Sequence, residues 1–442
     1  MATDLKRIRE KASKNRNEVF TSLWHHVCDV DHLRVCYGTL DGKKAVGIDG
    51  VDKKVYGENL EENLKELSAK LQRLGYRPQA KRRHYIPKAG SEKGRPLAIS
   101  NFEDKIVEKA IKVVLEQIYE EDFEDSSYGY RPGRTPHQCL DDLGRTIQQK
   151  RVSYVVEADI RSFFDKVNHD WLMKFLGHRI GDKRLLRMIE RMLKAGILED
   201  GLVQTSEEGT PQGSILSPLL SNIYLHYVLD LWFNKRVAPK WCKGGAYLFR
   251  YADDFVACFQ YRGDAQGFMN WLKVRFEQFG LALAEEKTKC LAFGRFARGN
   301  AKRQGGKPEE FTFLGFDHYC GKTKEGYFKV KRRTNRKKQG ASLKKFTEWC
   351  KKSRCWMTKG QMLRRAKARI VGYLNYYAIT DNSKRCGEYV YQATRILFKW
   401  LNRKSQRTSY RWEGYLQVLK WLKWPRARVR QDLNPFRREE AL

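Results

Sequence analysis

No two of the ten cysteines in this 442-residue chain stand as C-x-x-C. The nearest pair in the basic region, Cys350 and Cys355, does not match a zinc-ligand spacing. Reduced thiols are therefore expected, and neither a zinc module nor a disulfide framework is indicated. Long apolar runs are missing as well, since none approaches the ~18 residues a membrane-crossing helix needs. The opening MATDLKRIREKASKNR is charged, with no apolar signal-peptide core behind it, so the expected location is the cytosol, with no membrane partner. Acidic side chains are scarce: 52 stand against 87 Lys and Arg, leaving a net charge of +35. Such a chain repels itself unless a polyanion neutralises it, which makes nucleic acid the first partner to consider.

The basic excess is uneven. Residues 331–430 hold 29 basic and 4 acidic side chains, together with six of the eleven tryptophans. Helical patterns dominate there, so a helical bundle with a phosphate-touching surface is expected. Single cores stop growing at roughly 250–300 residues, so a multi-lobed chain is expected.

Residues 5–27 place Leu5, Ile8, Ala12, Val19, Phe20, Leu23, Trp24 and Val27 at mostly helical intervals, predicting one or two amphipathic helices. From Val46 to about Tyr319 helices and short strands alternate. VSYVVEADI (152–160) and AYLFRYADDFVACF (246–259) read as buried strands, the second as a hairpin. RLLRMIERMLKAGIL (184–198) and SPLLSNIYLHYVLDLWFNKRV (217–237) read as helices. A mixed sheet backed by helices follows. The stretch 295–310, polar and without periodicity, reads as a mobile loop before FTFLGFDHY (311–319) resumes a strand.

YADD at 251–254 places Asp253 and Asp254 at the hairpin tip, and Asp159 ends another apolar strand. A DD at a turn is by itself ordinary turn chemistry. Three converging carboxylates with oxygen-only ligands, however, suit Mg²⁺. Two such ions about 3.5–4 Å apart serve in-line phosphoryl transfer, as in nucleotide polymerisation.

Taken in order, GIDG (47–50), RPLAIS (95–100), SYGYRPGR (127–134), ADIRSFFDKVNH (158–169), GTPQGSILSPLLSNIYL (209–225), FRYADDFV (249–256), EEKTK (285–289) and FLGF (313–316) resemble the fingers and palm of group II intron reverse transcriptases. GYLNYYAI (372–379) resembles the thumb and maturase domain of the same family. The resemblance implies a mixed α/β right-hand polymerase followed by an α-helical domain. Residues 1–46 would form a basic helical extension, 47–320 fingers and palm, 321–425 the thumb and maturase domain, and 426–442 a basic tail. The implied partners are an RNA template with a DNA primer, deoxynucleotides, group II intron RNA and a DNA target, in the bacterial cytosol or nucleoid. With no Cys/His cluster near its end, the chain is expected to lack the endonuclease domain.

Residue by residue, the resemblance implies that Asp159, Asp253 and Asp254, with the carbonyl of Ile160, hold two Mg²⁺ ions, with Mn²⁺ as a substitute. Phe164, adjacent to Phe163, matches the ring that fills the space of a ribose 2′-hydroxyl. Gln212 of PQG lies beneath the incoming nucleotide, where the following glycine permits close approach. Lys93 and Arg95 match the residues that hold the triphosphate. Lys287 matches a lysine that protonates pyrophosphate, or is a surface lysine. Arg131 and Arg134 suit template phosphates or a carboxylate of the fold. Arg364, Arg365, Lys367 and Arg369 crowd about one and a half helical turns and are expected to bind RNA. Asn168 and its neighbours are expected to order a turn and cap a helix. An intron-encoded enzyme that aids splicing, a free-standing polymerase in phage defence, CRISPR spacer acquisition or DNA repair, and an RNA-binding splicing cofactor are the functions to separate. The intact aspartates argue against the third.

Overall fold

In a computed structural model, residues 2–86, 94–199, 202–204, 208–404 and 408–436 are described. Within them run the strands β1 (Lys81–Ile86), β2 (Arg95–Ile99), β3 (Tyr154–Ala158), β4 (Ile197–Glu199), β5 (Leu202–Gln204), β6 (Ala246–Tyr251), β7 (Asp254–Phe259), β8 (Lys289–Ala292), β9 (Phe311–Phe313), β10 (Phe316–Lys322) and β11 (Phe328–Thr334).

The central sheet has the order β6-β7-β3-β8 and is antiparallel throughout. Its strands read as continuous apolar runs because both faces are covered. Val156, Phe255, Ala257 and Phe259 enter one core, shared with Phe268, Leu272 and Phe276 of helix Arg262–Gln278. Val155, Val256 and Cys258 alternate onto the other face and meet Leu140, Leu143, Phe293 and Phe311. Fully burying a ring such as Phe268 contributes roughly 1.5–3 kcal/mol, so this sandwiching holds the sheet rigidly.

A second sheet, β2-β1-β4-β5, stands in front of the central one. Its β1 strand, KRRHYI, is basic and largely exposed, so no apolar alternation announced it. A third, β11-β10-β9, leads into helices Arg336–Ser353, Lys359–Tyr377, Ser383–Leu401 and Trp412–Trp421. These four helices bury Phe346, Ile370, Leu397 and Tyr415 in a core of their own. The chain is thus a mixed α/β body with a helical C-terminal region.

Several elements differ from the sequence expectation. The helix expected over 184–198 ends at Lys194, and Ile197 and Leu198 enter β4 beside β1. The segment 217–237 is helical, but after Leu225 it widens into π-helical turns, His226–Asp230 and Phe233–Trp241, the latter containing Pro239. Residues 295–310 are not all loop: Ala297–Arg303 is a helix, nucleated where Ala297 buries its methyl group in the second core. The strand expected over 311–319 is two strands, turned at Leu314 and Gly315, both with positive φ.

The leading residues are not a separate layer. Ile8, Ala12, Leu23 and Trp24 lie in the same core as Ile106 and Leu115. Asp182, which caps helix Lys183–Lys194, also accepts the backbone N–H groups of Leu23 and Trp24, each at 2.8 Å. Leu433 of the expected tail is likewise buried in the second core.

Candidate active site

The hairpin β6–β7 closes through a two-residue turn, with Tyr251 opposite Asp254 and Ala252 at φ +58°. A non-glycine residue in this region stores strain, so the turn must be held from outside. Three contacts hold it. The SYGYRPGR segment lies against its backbone, where the Tyr128 N–H donates to the Arg250 carbonyl at 2.9 Å. Gly129 abuts the turn so closely that a Cβ would lie 2.3 Å from the Ala252 nitrogen. Beneath it, the wholly buried Arg250 donates to the Ala252 carbonyl at 3.0 Å.

Arg250 also grips both oxygens of the buried Asp230 (2.7 and 2.5 Å) and reaches Asn222 (2.9 Å) and Ser127 (2.7 Å). Three segments, residues 127, 222–230 and the turn at 252, therefore meet on one guanidinium. Sequence reasoning passed over it, although an arginine between Phe249 and Tyr251 in a buried strand requires a buried counter-charge.

Asp159 follows β3, next to β7 in the sheet, so the strand order carries it to the turn. Its carbonyl accepts from Ala284 (2.9 Å), while Arg161 donates to Ala282 (2.8 Å). These two bonds flank Ile160 and leave its own carbonyl outside the ladder. The charge of Asp159 reaches both turn aspartates. The Asp253 carboxyl is raised above its ordinary value chiefly by burial, with Asp159 adding to the rise and Arg95 and Arg250 opposing it. Asp254, open to solvent but set between the walls of the cleft, is raised to about 6 by desolvation and by Asp253 and Asp159.

This mutual repulsion is what a divalent cation would relieve, and the oxygen-only donor set fits Mg²⁺. The three carboxylates do not form a closed cage, because among the described residues no three His, Cys, Asp or Glu side chains are placed to hold an ion by themselves. That agrees with the habit of Mg²⁺, which takes one or two carboxylates and completes its shell with water and substrate phosphate. Lys287 forms an ion pair with Asp159, and this contact raises the ammonium above its ordinary value.

A cavity of about 340 Å³, whose lining includes none of the three aspartates, is formed by Arg83, Tyr85, Phe164, Thr210 and Gln212. Phe164 faces this space, whereas Phe163 is buried in the core. The Thr210 N–H donates to the Phe164 carbonyl at 2.6 Å, and the Ala98 N–H donates to the Gln212 carbonyl at 2.6 Å. Gly213, at φ +116°, approaches the Ala98 carbonyl of β2, where a Cβ would lie 2.8 Å away. Its closeness thus serves the joint between the two sheets rather than a ligand. Arg95 opens β2 and is exposed, and its charge is felt at Asp253. Lys93 lies outside the described residues.

A separate cavity of about 360 Å³ joins Asp159 and Asp254 to Lys287, Lys289, Lys338 and residues 312–315. The Tyr376 hydroxyl of GYLNYYAI donates to the Leu314 carbonyl at 2.8 Å. That tyrosine therefore supports the cleft wall from the helical region.

The remaining arginines divide. Arg131 is engaged inside the fold, on Glu120 (3.0 Å) and the carbonyls of Glu124 and Ser127, with a side chain only 6% exposed. Arg134 pairs with Asp125 at 2.5 Å. Arg364, Arg365 and Arg369 are exposed, Arg365 over Trp356 and Arg369 over Trp349. Lys367 is half-buried and donates to the Leu422 carbonyl at 2.8 Å.

Residues 86–318, more than half of the chain, match the family described as Reverse transcriptase (RNA-dependent DNA polymerase). The chain belongs to the reverse transcriptase family. This reverse transcriptase is similar to group II intron-encoded protein LtrA of Lactococcus lactis subsp. cremoris, with 39% identity over 231 residues, 51% of this chain and 38% of that protein. It is similar to protein YkfC of Escherichia coli (strain K12), with 37% identity over 246 residues, 49% of this chain and 63% of that one. A shorter match, 33% over 129 residues, is to nuclear intron maturase 3, mitochondrial, of Arabidopsis thaliana, covering 29% of this chain and 18% of that protein. The chain thus spans less than two thirds of each of these relatives.

Proposed function

We propose that this reverse transcriptase extends a DNA primer on an RNA template by two-metal phosphoryl transfer, and that it binds group II intron RNA to assist splicing and mobility. The observation that carries the first part is the convergence of Asp159 with the Asp253–Asp254 turn, where each carboxylate's charge is felt by the others and Asp159 and Asp254 share one cavity. In this reading residues 47–320 are fingers and palm and 321–425 the thumb and maturase domain, with 1–46 and 426–442 flanking them.

Bound at Asp159, Asp253, Asp254 and the Ile160 carbonyl, two Mg²⁺ ions, or Mn²⁺, supply activation of the primer hydroxyl and neutralisation of the leaving pyrophosphate. The primer 3′-hydroxyl gives its proton to solvent water, its oxygen bonds to the α-phosphorus, and the bond from that phosphorus to the leaving pyrophosphate breaks. Arg95 and Lys93 hold the triphosphate, Gln212 the sugar, and Phe164 occupies the space of a 2′-hydroxyl. Lys287, released from Asp159, gives its proton to pyrophosphate. The basic face carrying Arg364, Arg365 and Arg369 grips structured RNA, a role supported by its exposure and by the intron-encoded relatives.

Replacing Asp253 with Asn tests the polymerase. Mg²⁺-dependent cDNA synthesis should fall by at least a thousandfold while RNA affinity stays within about twofold. Extension at the wild-type rate would refute the assignment. Whether folded intron RNA surrounds the reading frame separates an intron-encoded enzyme from a free-standing one.

A further inference from the structure

Phe164 and the segment from Glu208 to Gln212 line the same 340 Å³ cavity, so the space left between them decides what fits there. Three hydrogen bonds fix that space. The Gly209 N–H donates to the Val167 carbonyl at 2.8 Å, and the Thr210 N–H to the Phe164 carbonyl at 2.6 Å. The third comes from a side chain: His169 Nε2 lies 2.7 Å from the Gly209 carbonyl oxygen. A carbonyl only accepts, so the ring proton sits on Nε2, while Nδ1 is buried with no hydrogen-bond partner among the described residues. Lys166 also pairs with Glu208 at 3.0 Å, but both side chains are about half exposed and such a pair contributes little.

The Gly209 carbonyl and the Thr210 N–H belong to one peptide unit and point in opposite directions, since the bond is trans. That single plane is therefore strung between His169 on one side and the Phe164 backbone on the other. Gly209 itself gives it little restraint. At φ +93° it occupies a region that glycine enters freely, and a Cβ there would lie 3.2 Å from the carbonyl oxygens of both Phe164 and Asp165. His169, by contrast, is rigidly rooted. It is 4% exposed and opens helix His169–Gly177, which Asn168 caps and which buries Leu172, Phe175 and Leu176 in the first core. At its far end the segment is tied to β2 through the Gln212 carbonyl.

We infer that His169 is a positioning residue for sugar selection: by clamping the Gly209–Thr210 peptide it sets how closely the Gln212 segment holds a nucleotide against the Phe164 ring. It touches no substrate itself. A ring filling the space of a 2′-hydroxyl discriminates only while the sugar is pressed against it, and a displacement of about 1 Å in a positioning group costs up to about a hundredfold. This role rests on the reading of Phe164 and Gln212 given above.

The test uses the full chain on a primer–template whose primer lacks its 3′-hydroxyl, so that binding of the next complementary deoxynucleoside triphosphate is measured without chemistry. His169→Leu keeps the volume and removes the donor, whereas His169→Gln returns an amide N–H at similar reach. In His169→Leu the Kd for the triphosphate should rise about tenfold or more. On an intact primer the preference for deoxy- over ribonucleotide should fall at least about fivefold, with kcat at saturating deoxynucleotide within about threefold of wild type. His169→Gln should recover both affinity and preference to within about threefold, which a side chain that only packs would not do. Gly209→Ala pushes the same peptide away from Phe164 with His169 intact and should raise the Kd in the same way. Wild-type affinity in a folded His169→Leu protein, or in Gly209→Ala where His169→Leu does not fold, would overturn the role. So would equal losses in His169→Leu and His169→Gln, or a fall in kcat alone. The two failures separate: a wild type that neither binds the triphosphate nor extends a primer overturns the polymerase reading, whereas a wild type that does both while His169→Leu matches it overturns only the clamp.

Discussion

Removing the Arg250 guanidinium would leave Asp230 charged and wholly buried with its main partner gone, a change that typically costs 3–5 kcal/mol. Arg250→Ala should therefore lower the thermal midpoint sharply. Arg250→Lys keeps a charge but cannot reach Asp230, Asn222, Ser127 and the Ala252 carbonyl together, so it should fold and yet extend primers more slowly at an unchanged KM for deoxynucleotide. A wild-type kcat in a folded Arg250→Lys protein would show that the turn holds without this support. Phe164 offers a second residue-scale prediction. Its ring lines the 340 Å³ cavity while Phe163 is in the core, so under the proposed reading Phe164→Ala should increase ribonucleotide incorporation at least tenfold relative to deoxynucleotide. A change in selectivity only in Phe163→Ala would move the gate by one residue. The pairing Phe163–Phe164 was visible in the sequence, but which ring faces the cavity depends on the left-handed Ser162 (φ +47°) that precedes them.

At the scale of elements, helix Lys359–Tyr377 presents Arg364, Arg365 and Arg369 outward and turns Met362, Leu363, Ala366 and Ile370 inward. Replacing the three arginines with Gln should weaken binding of structured RNA and reduce the salt slope by roughly 0.7–0.9 per phosphate released, with the helix intact. An unchanged slope would move the RNA-binding face elsewhere. Lys367 is left out because its ammonium holds the Leu422 carbonyl just past helix Trp412–Trp421. The π-helical turn His226–Asp230 gives a pH test. His226 is buried, and desolvation lowers it from 6.5 to about 4. As pH falls through that window the unfolded chain takes up a proton that the folded one refuses, so the fold loses up to about 1.4 kcal/mol per pH unit from this group. Above pH 6.5 the group contributes no such loss. The difference in midpoint between wild type and His226→Gln should therefore narrow from pH 7.5 to pH 5, and a constant difference would contradict the burial argument.

For the whole molecule, a net charge of +35 makes the folded state repel itself, and a bound polyanion should stabilise it. Mixed-sequence RNA at low salt should raise the thermal midpoint by several degrees, and the rise should vanish by about 0.5 M salt as screening shortens to a few ångströms. A midpoint insensitive to RNA at low salt would show that the charge is compensated locally. The helical region is not an appendage in this respect. Tyr376 bonds Leu314 at the cleft that holds Asp159 and Asp254, and His137 bonds the Tyr376 carbonyl at 2.8 Å, so the helical region is mechanically joined to the α/β body.

The chain's order of amino acids determined the charged character, the apolar strands around YADD and after residue 153, the helical C-terminal region and the three aspartates, because each is a local pattern of period, composition or adjacent motif. Asn168 as a helix cap, accepting from the Trp171 N–H at 2.9 Å, belongs to the same class. What only the tertiary structure decided are the relations between distant segments. Basic β1 is a strand because β2 and β4 supply its hydrogen bonds, not because its own pattern is amphipathic. Arg131 turns inward because Glu120 meets it there, while Arg364 has no such partner among the described residues and stays in solvent. Arg250 becomes the support of the Asp253–Asp254 turn because Ser127 and the helical segment carrying Asn222 and Asp230, remote from each other in the chain, converge on it. Local patterns are set by short-range sterics and side-chain period, whereas the pairing of a buried charge or a strand edge depends on which remote group the completed fold brings to it.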